Sequence, residues 1–462
     1  MKRELTEITP TGLIPLAMGV GLLIIGLKLS YSVYETVILL LLAAGIGTWL
    51  VLLLLRSPQW GLVALLVGGL AIPFEIGTGS ETGLNPAIML LPLLMGVWVF
   101  DMVALKRRIS LPSSRCTLPL ITLAVVSLLS FLVGQFVSTP APFRAQLAGL
   151  ALFLFSGGAF FLAAIYLRDL EWLKRISWLI LAIGACYTGL WLLPIESPVA
   201  AYFPPSGATG SLFWTWVMAL AAGQVLFNRK LSKGTRIVFG GLIVGILCVG
   251  FFPARTWVSG WFPPLVVLVV LVSLRTPRIM LFSSVIGGLT AVIYLPKLIQ
   301  VLLSREGYSL ITRLEGWEIL SEIVKINPIL GLGPANYYHF TSFYSIRGWY
   351  VPFNSHNNFV DIFAQIGLLG LICFIWFFWE AGRLAWRLKS KVGDGFERGY
   401  VYGAFAGLIG TLTAALFGDW VIPFVYNVGL EGFRTSVLGW VCLGGVVAIA
   451  SWQSRQSLIT SH

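Results

Sequence analysis

Charge is what this chain has least of. Only 11% of its 462 residues are charged, against 57% hydrophobic, where ordinary globular domains carry about 25% charged residues. That scarcity excludes a water-soluble domain and points to an integral membrane protein of many spans. Histidine is almost missing, with three in the whole chain. The five cysteines, Cys116, Cys186, Cys248, Cys373 and Cys442, are scattered in or beside apolar segments. No pair has metal-ligand spacing, so they read as small buried side chains. No carboxylate–histidine cluster has metal spacing either, so no catalytic metal is expected. A Walker motif is lacking, and Gly331-Leu332-Gly333 follows no strand, so it is no nucleotide fingerprint. With no cofactor expected, energy has to come from an activated donor or a gradient. There is no internal repeat of fixed period.

What is present is a series of apolar runs, each near the roughly 20 residues that a spanning helix needs. They fall near 11–28, 34–55, 59–76, 84–105, 116–136, 146–167, 176–194, 208–227, 237–253, 257–273, 279–300, 358–379, 400–418 and 435–451. The fold class is therefore an all-α polytopic membrane protein with about fourteen spans. The start, MKRELTEITPTGLIPLAMGV, has basic residues before an apolar run but no small-residue cleavage site, and is read as an uncleaved first span.

The formal charge of +12 suggests a nucleic-acid partner only until its distribution is followed. Alternate connectors (RSPQ, KRRISLPSSR, RDLEWLKR, NRKLSKGTR, RTPR and EAGRLAWRLKSKVGDGFERG) carry most of the lysine and arginine, and the intervening ones carry little. This is the asymmetry of a membrane protein whose basic loops stay inside. Both termini are expected in the cytoplasm, with no nucleic-acid partner.

One connector differs from the rest. Residues 301–357 form a long segment on the outer face, rich in aromatics and helix formers. Leu310, Leu314, Trp317, Leu320 and Val324 recur at spacings of three or four, with Glu315, Glu318 and Glu322 opposite. The spacing predicts an amphipathic helix on the membrane surface or on the bundle. Asn327-Pro328 is expected to stop it, with a tight turn allowed by Gly331 and Gly333. The chain then divides into N-terminal spans 1–236, a core 237–379 containing the loop, and C-terminal spans 380–462.

His356 stands at the end of this loop. An N-cap at Asn354 or Ser355 would put it in the first helical turn, where the helix dipole disfavours an imidazolium. A neutral imidazole can act as a general base; capping or snorkelling is the alternative. Asp361 and Gln365 are four apart on one helix face, about one and two turns into the membrane, a costly place for an ionisable group. Function or a structural hydrogen bond to a neighbouring helix would explain them. Arg255, in the outer turn FFPARTWVSGW, together with Arg305, Arg313 and Arg347, would form a clamp for a diphosphate or carboxylate. Their alternative partners are lipid headgroups or Glu306, Glu315 and Glu318. Tyr337, Tyr338, Tyr344, Trp349 and Tyr350 would stack on sugar rings or form an interfacial aromatic belt.

Taken in order, an arginine in an outer turn (Arg255), R-x3-W in a helix (Arg313, Trp317), GLGPANYY, and S-H-N-N running into a helix with Gly367 and Gly370 make a pattern. It resembles the O-antigen ligase and polysaccharide polymerase family over roughly residues 238–378. The resemblance implies a metal-independent glycosyltransferase of the GT-C type in the bacterial cytoplasmic membrane. Such an enzyme moves a glycan from a polyprenyl diphosphate carrier to a lipid or glycan acceptor hydroxyl on the outer face, alongside protein partners of polysaccharide assembly. It further implies that Arg255 and Arg313 hold the diphosphate and that His356 is the essential base or orienting group. Arg305, Arg347, Trp317, Tyr337, Asn357 and Asp361 are then expected to contact substrate. The competing reading is a lipid-linked glycan flippase or other multi-span transporter, which would show mid-membrane charges and two related halves.

Overall fold

The computed structural model describes residue 45 and residues 51–77, 83–193, 210–278 and 308–460. The spans expected near 11–28 and 279–300, most of that near 34–55, and Arg305 lie outside the described residues, as does the side chain of Leu310. The helices are α1 (Gln59–Ala71), α2 (Pro86–Phe100, continued by a π-helical turn Asp101–Leu105), α3 (Thr117–Gly134), α4 (Phe143–Tyr166) and α5 (Leu170–Leu192). They continue as α6 (Ser211–Phe227), α7 (Lys233–Phe251), α8 (Val258–Arg275), α9 (Tyr308–Val324), α10 (Tyr337–Thr341), α11 (Asn358–Leu388), α12 (Phe396–Phe417) and α13 (Phe433–Thr460). A two-residue antiparallel ladder pairs Ile76 with Leu84 and Gly77 with Gly83.

Among the described residues, nine helices are long and apolar enough to cross a membrane, and α1 and α6 are shorter apolar helices. Each apolar run expected in the described part of the chain falls on one of these eleven helices, nine of them of spanning length. Several start where the sequence provides an acceptor for orphan amides. Asn85 Oδ1 accepts from the amides of Ala87 and Ile88 at 3.0 and 3.1 Å, with Pro86 at the first helical position. Asp169 and Ser232 cap α5 and α7 in the same way.

The bundle closes around α6, which is apolar on every side and buried almost throughout. It packs on α7, α8, α12 and α13, so helices of all three expected segments pack on one another. Lipid is as apolar as a leucine side chain, so helices in it associate through close packing of small residues. Gly399, Gly403 and Gly407 repeat at intervals of four along α12 and do this against α6. A methyl group at Gly223 of α6 would lie 2.4 Å from the Gly399 carbonyl oxygen. One at Gly403 would lie 2.5 Å from that of Ala219.

The connectors sort to two ends. At one, Asn85 Nδ2 donates to the Leu430 carbonyl at 2.8 Å, and Arg434 donates to the Ile72 carbonyl at 2.7 Å. At that end Asn336 Nδ2 also donates to Gly134 O at 3.0 Å, and Trp257 packs edge-on to Trp420. At the other end Arg229 pairs with Asp394 at 2.9 Å, and a cavity joins Ser110–Ser113, Arg168 and Arg455. The basic connectors of the sequence gather at this second end.

The helix entered from His356 does not run straight. Ile366 (φ −124°, ψ 16°) and Gly367 (φ 70°, ψ −171°) leave helical geometry. The Phe359 and Phe374 rings meet at 5.7 Å, although on a straight helix their Cα atoms would be about 22 Å apart. The chain therefore turns a sharp corner at Gly367. A short segment, 358–365, precedes the true span 368–388, whose length of about 31 Å matches a hydrocarbon core of about 30 Å. This corrects the expectation that Asp361 and Gln365 lie one and two turns down a spanning helix.

The corner is filled by backbone from the long loop. A straight helix would pair Leu368 N–H with Ala364 C=O and Leu369 N–H with Gln365 C=O. Instead Leu332 N–H donates to Ala364 O at 3.0 Å and Gly333 N–H to Gln365 O at 2.9 Å. Leu368 and Leu369 N–H donate to Pro328 O and Ile329 O at 2.9 and 3.2 Å. The glycines here are obligatory. A methyl group on Gly367 would sit 2.2 Å from Ile329 O, and one on Gly331 (φ 71°) 2.6 Å from the Gln365 carbonyl group. Thus Gly331 and Gly333 serve close approach as well as the expected turn.

Gly348 (φ 86°) would carry a methyl group with nothing within 4 Å of it, so alanine there isolates the backbone cost. Gly348→Ala is expected to cost about 1 kcal/mol, and Gly367→Ala more than about 3 kcal/mol. Thermal unfolding of the purified protein in detergent measures both; equal shifts would refute the corner as a structural necessity.

Candidate functional site

Helix α9, in the long loop, buries Leu320, Ile323 and Val324 against Leu332, Tyr337 and Phe340. The expected amphipathic pattern holds only in its second half, where Glu318 and Glu322 are exposed opposite Leu320 and Val324. Leu314 is 51% exposed and Glu315 half-buried, so apolar and polar residues do not separate along the whole helix. Two hydrogen bonds fix it. Arg313 Nη1 donates to the Phe417 carbonyl at the end of α12 at 3.2 Å, and Trp317 Nε1 donates to the Ser355 carbonyl at 2.7 Å. Arg313 is thereby held beside the loop that carries His356.

That loop ends differently from expectation. The N-cap of α11 is Asn357, whose Oδ1 accepts from Phe359 N–H at 2.9 Å. Neither Asn354 nor Ser355 caps it, and His356 is not in the first helical turn. His356 stands before the cap with φ 49°, a left-handed conformation that turns its ring out of the helix path. The local reason is Ser355. Its Oγ accepts from Asn357 N–H at 3.0 Å and donates to Asp361 Oδ1 at 2.7 Å, closing a turn around the histidine.

His356 and Arg313 line one cavity of about 280 Å³ with Thr312, Tyr338, Ile346, Pro352, Phe353, Asn354 and Tyr426. Tyr338 and Tyr426 are stacked at 4.4 Å with an interplanar angle of 11°, and Tyr426 Oη is 3.0 Å from His339 Nε2. Asn354 Nδ2 is buried with no partner among the described residues. The cavity thus presents a guanidinium, an imidazole and an aromatic wall.

Beneath it lies a layer of buried polar side chains. Asp361 is fully buried and accepts from Ser355 Oγ and from Tyr337 Oη. Tyr337 stacks on Phe424 at 4.7 Å, and burial together with the Asp361 charge raises its phenol well above the ordinary value. Gln365 Oε1 accepts from Ala335 N–H at 3.1 Å. Asn358 pins the connector after α12, donating to Ile422 O at 2.7 Å and accepting from Val421 N–H at 2.8 Å. That connector brings in Asp419, whose Oδ2 accepts from Phe424 N–H at 2.9 Å and whose Oδ1 accepts from Asn427. Burial pushes the Asp419 carboxyl up, and these hydrogen bonds oppose the shift. Asn427 Nδ2 also lies 3.4 Å from His356 Nδ1, the outer limit of a hydrogen bond.

The residues expected to form the site therefore separate. His356 and Arg313 share the cavity. Trp317, Asn357, Tyr337 and Asp361 support it from behind, and Tyr337, expected to touch substrate, is fully buried. Arg347 is tied to Glu315: its N–H donates to Oε1 at 2.9 Å, and its guanidinium is 4.0 Å from Oε2. Arg255 is exposed in the turn 252–257 and does not line the cavity. Asp419, Tyr426 and Asn427 escaped sequence reasoning. Their signal was an acid directly after an apolar run, in a connector on the same side as the long loop. Comparison with protein-family models and with curated proteins finds no match to this chain.

Desolvation, with a smaller contribution from Arg313, lowers His356 from 6.5 to about 4. Above pH 6.5 the ring is neutral in both folded and unfolded chains. Between 6.5 and about 4 the unfolded chain takes up a proton that the folded ring refuses, so stability falls as pH falls through that window. His356→Gln is expected to flatten part of the decline in Tm between pH 7 and 4.5. An unchanged slope would mean the ring is not held neutral by its surroundings.

Proposed function

We propose that this chain is a membrane glycosyltransferase of the O-antigen ligase or polysaccharide polymerase type. It takes a glycan from a polyprenyl diphosphate carrier and gives it to an acceptor hydroxyl. The observation that carries the reading is the meeting of His356 and Arg313 in one cavity walled by the Tyr338–Tyr426 stack. Placement in the bacterial cytoplasmic membrane with this cavity outward is supported by the gathering of basic connectors at the opposite end. Both termini then face the cytoplasm, and the fold is of the GT-C kind.

In this reading the acceptor oxygen bonds to the anomeric carbon as the bond from that carbon to the diphosphate oxygen breaks. The electron pair leaves with the diphosphate. Arg313 meets the charge that develops there, in a half-buried position where it is worth more than in water. Its own charge is opposed by desolvation and supported by Asp419. His356 is neutral at ordinary pH and so hydrogen-bonds the acceptor hydroxyl without repelling an approaching electrophile. A ring lowered to about 4 is a weak base, which makes orientation the larger part of its work. The hydroxyl proton passes to the ring late in the reaction, or to the departing diphosphate. The stacked tyrosines offer a face to a sugar ring.

The test is purified protein in liposomes with a polyprenyl-diphosphate-linked oligosaccharide, following release of carrier diphosphate and glycan transfer. His356→Ala and Arg313→Ala are each expected to lose about 100-fold or more. Arg255→Ala is expected to lose less, because that side chain is outside the cavity. Full transfer by His356→Ala would refute the site. Intact donor appearing in the opposite leaflet would instead mark a flippase.

A further inference from the structure

Another concavity lies on the flank of the bundle, between α11 and α12. It has a volume of about 620 Å³ and is lined along α11 by Ile375, Phe378, Trp379, Gly382, Trp386 and the two arginines Arg383 and Arg387. Phe405, Leu408 and Leu412 of α12 form the other wall, and Phe359 closes the end nearest His356. The α11 positions recur every three or four residues from 375 to 387, so the groove follows one helix face for about 18 Å. That is about the depth of one leaflet of a hydrocarbon core near 30 Å thick. Gly382 leaves the groove open, since a methyl group there would come no closer than 3.8 Å to Leu408.

The chemistry of the two ends differs. Toward His356 the groove meets a phenylalanine ring. Toward the basic connectors it meets Arg383 and Arg387, four apart and so on the same face. Arg383 is 3.9 Å from Glu380, whereas Arg387 is exposed and has no carboxylate partner among the described residues. The rim therefore carries net positive charge above an apolar slot one leaflet deep.

We propose that this groove is a binding site for an anionic glycerophospholipid of the leaflet at the basic end. One acyl chain lies along 375–387, and the headgroup phosphate is held by Arg383 and Arg387. Paired guanidinium groups suit phosphate oxygens, and basic pockets between helices at this level of a membrane take anionic headgroups. The site is independent of the glycosyltransferase reading and stands or falls apart from it. A polyprenyl diphosphate whose headgroup is at Arg313 would enter from the opposite end, past Phe359, and would leave both arginines unused.

The test uses the purified full chain in detergent, with phosphatidylglycerol or phosphatidylcholine of identical acyl chains added in turn. Native mass spectrometry counts bound lipid, and thermal unfolding reads stabilisation. Phosphatidylglycerol is expected to bind roughly tenfold more tightly than phosphatidylcholine. Arg383→Gln with Arg387→Gln is expected to abolish the preference. Gly382→Leu, which fills the slot and keeps both charges, is expected to reduce binding of both lipids. Equal binding of the two lipids by the native chain, or a preference that survives the double substitution, would overturn the proposal. Displacement of bound phosphatidylglycerol by polyprenyl diphosphate would also overturn it, by assigning the groove to a carrier tail.

Discussion

The exchange of backbone hydrogen bonds at the Gly367 corner is the constraint on which the cavity end of this protein depends. Inside a membrane protein an open amide or carbonyl has no water to turn to, and each one left unpaired costs on the order of 1–3 kcal/mol. A sharp corner in α11 opens such groups, and residues 328–333 close them, amide for carbonyl. Ser130 Oγ adds a further bond to Gln365 O at 2.7 Å, tying α3 to the same point. Because the partner strand is part of the long loop, fixing the corner also fixes where that loop leaves the bundle. Everything downstream, Tyr337 under Asp361 and His356 above it, inherits its position from that pairing.

Burial of two carboxylates beside this corner is the second cost the fold bears. Asp361 and Asp419 are both nearly inaccessible. Burial, with the Asp419 charge beside it, pushes the Asp361 carboxyl up to about 8, and burial pushes Asp419 up as well. Hydrogen bonds oppose both shifts in place of solvent. Four groups do so: Tyr337 Oη and Ser355 Oγ for Asp361, and Phe424 N–H and Asn427 for Asp419. Each donor belongs to a segment that lacks regular secondary structure or is only a turn long. The carboxylates thus order the loops around the cavity, and the cavity wall has its shape because these acids must be satisfied. Both hydrogen bonds to Asp361 fall on Oδ1, and its Oδ2 is buried with no partner among the described residues, as suits a carboxyl that burial keeps protonated.

Much of this was legible in the chain. The apolar runs announce helices, since no other structure closes its own backbone bonds in lipid. The alternation of basic connectors anticipates two chemically different ends. The Asn327-Pro328 stop and the helix before it were also readable, as were His356 and Arg313 as candidates, though not their meeting in one cavity. Less so was the corner: Gly367 sits in an apolar run like many other glycines, and its φ of 70° follows from residues almost forty positions earlier. Likewise Asp361 reads as a membrane-depth acid when the helix is assumed straight, and Arg347 reads as a ligand until Glu315 is found beside it.

Sequence alone determined the solvent of this protein, its helical class and the side chains available for chemistry, because hydropathy and charge are properties of residues taken one at a time. Only the tertiary structure decided which of the three described candidate arginines, Arg255, Arg313 and Arg347, shares a cavity with the histidine, that Tyr337 is support rather than surface, and that Asp419, Tyr426 and Asn427 belong to the site. Those outcomes depend on close approach between distant segments, set by absent methyl groups at Gly331 and Gly367 and by the need of buried polar atoms for partners. Neither requirement has a local periodicity, so neither leaves a pattern in the chain.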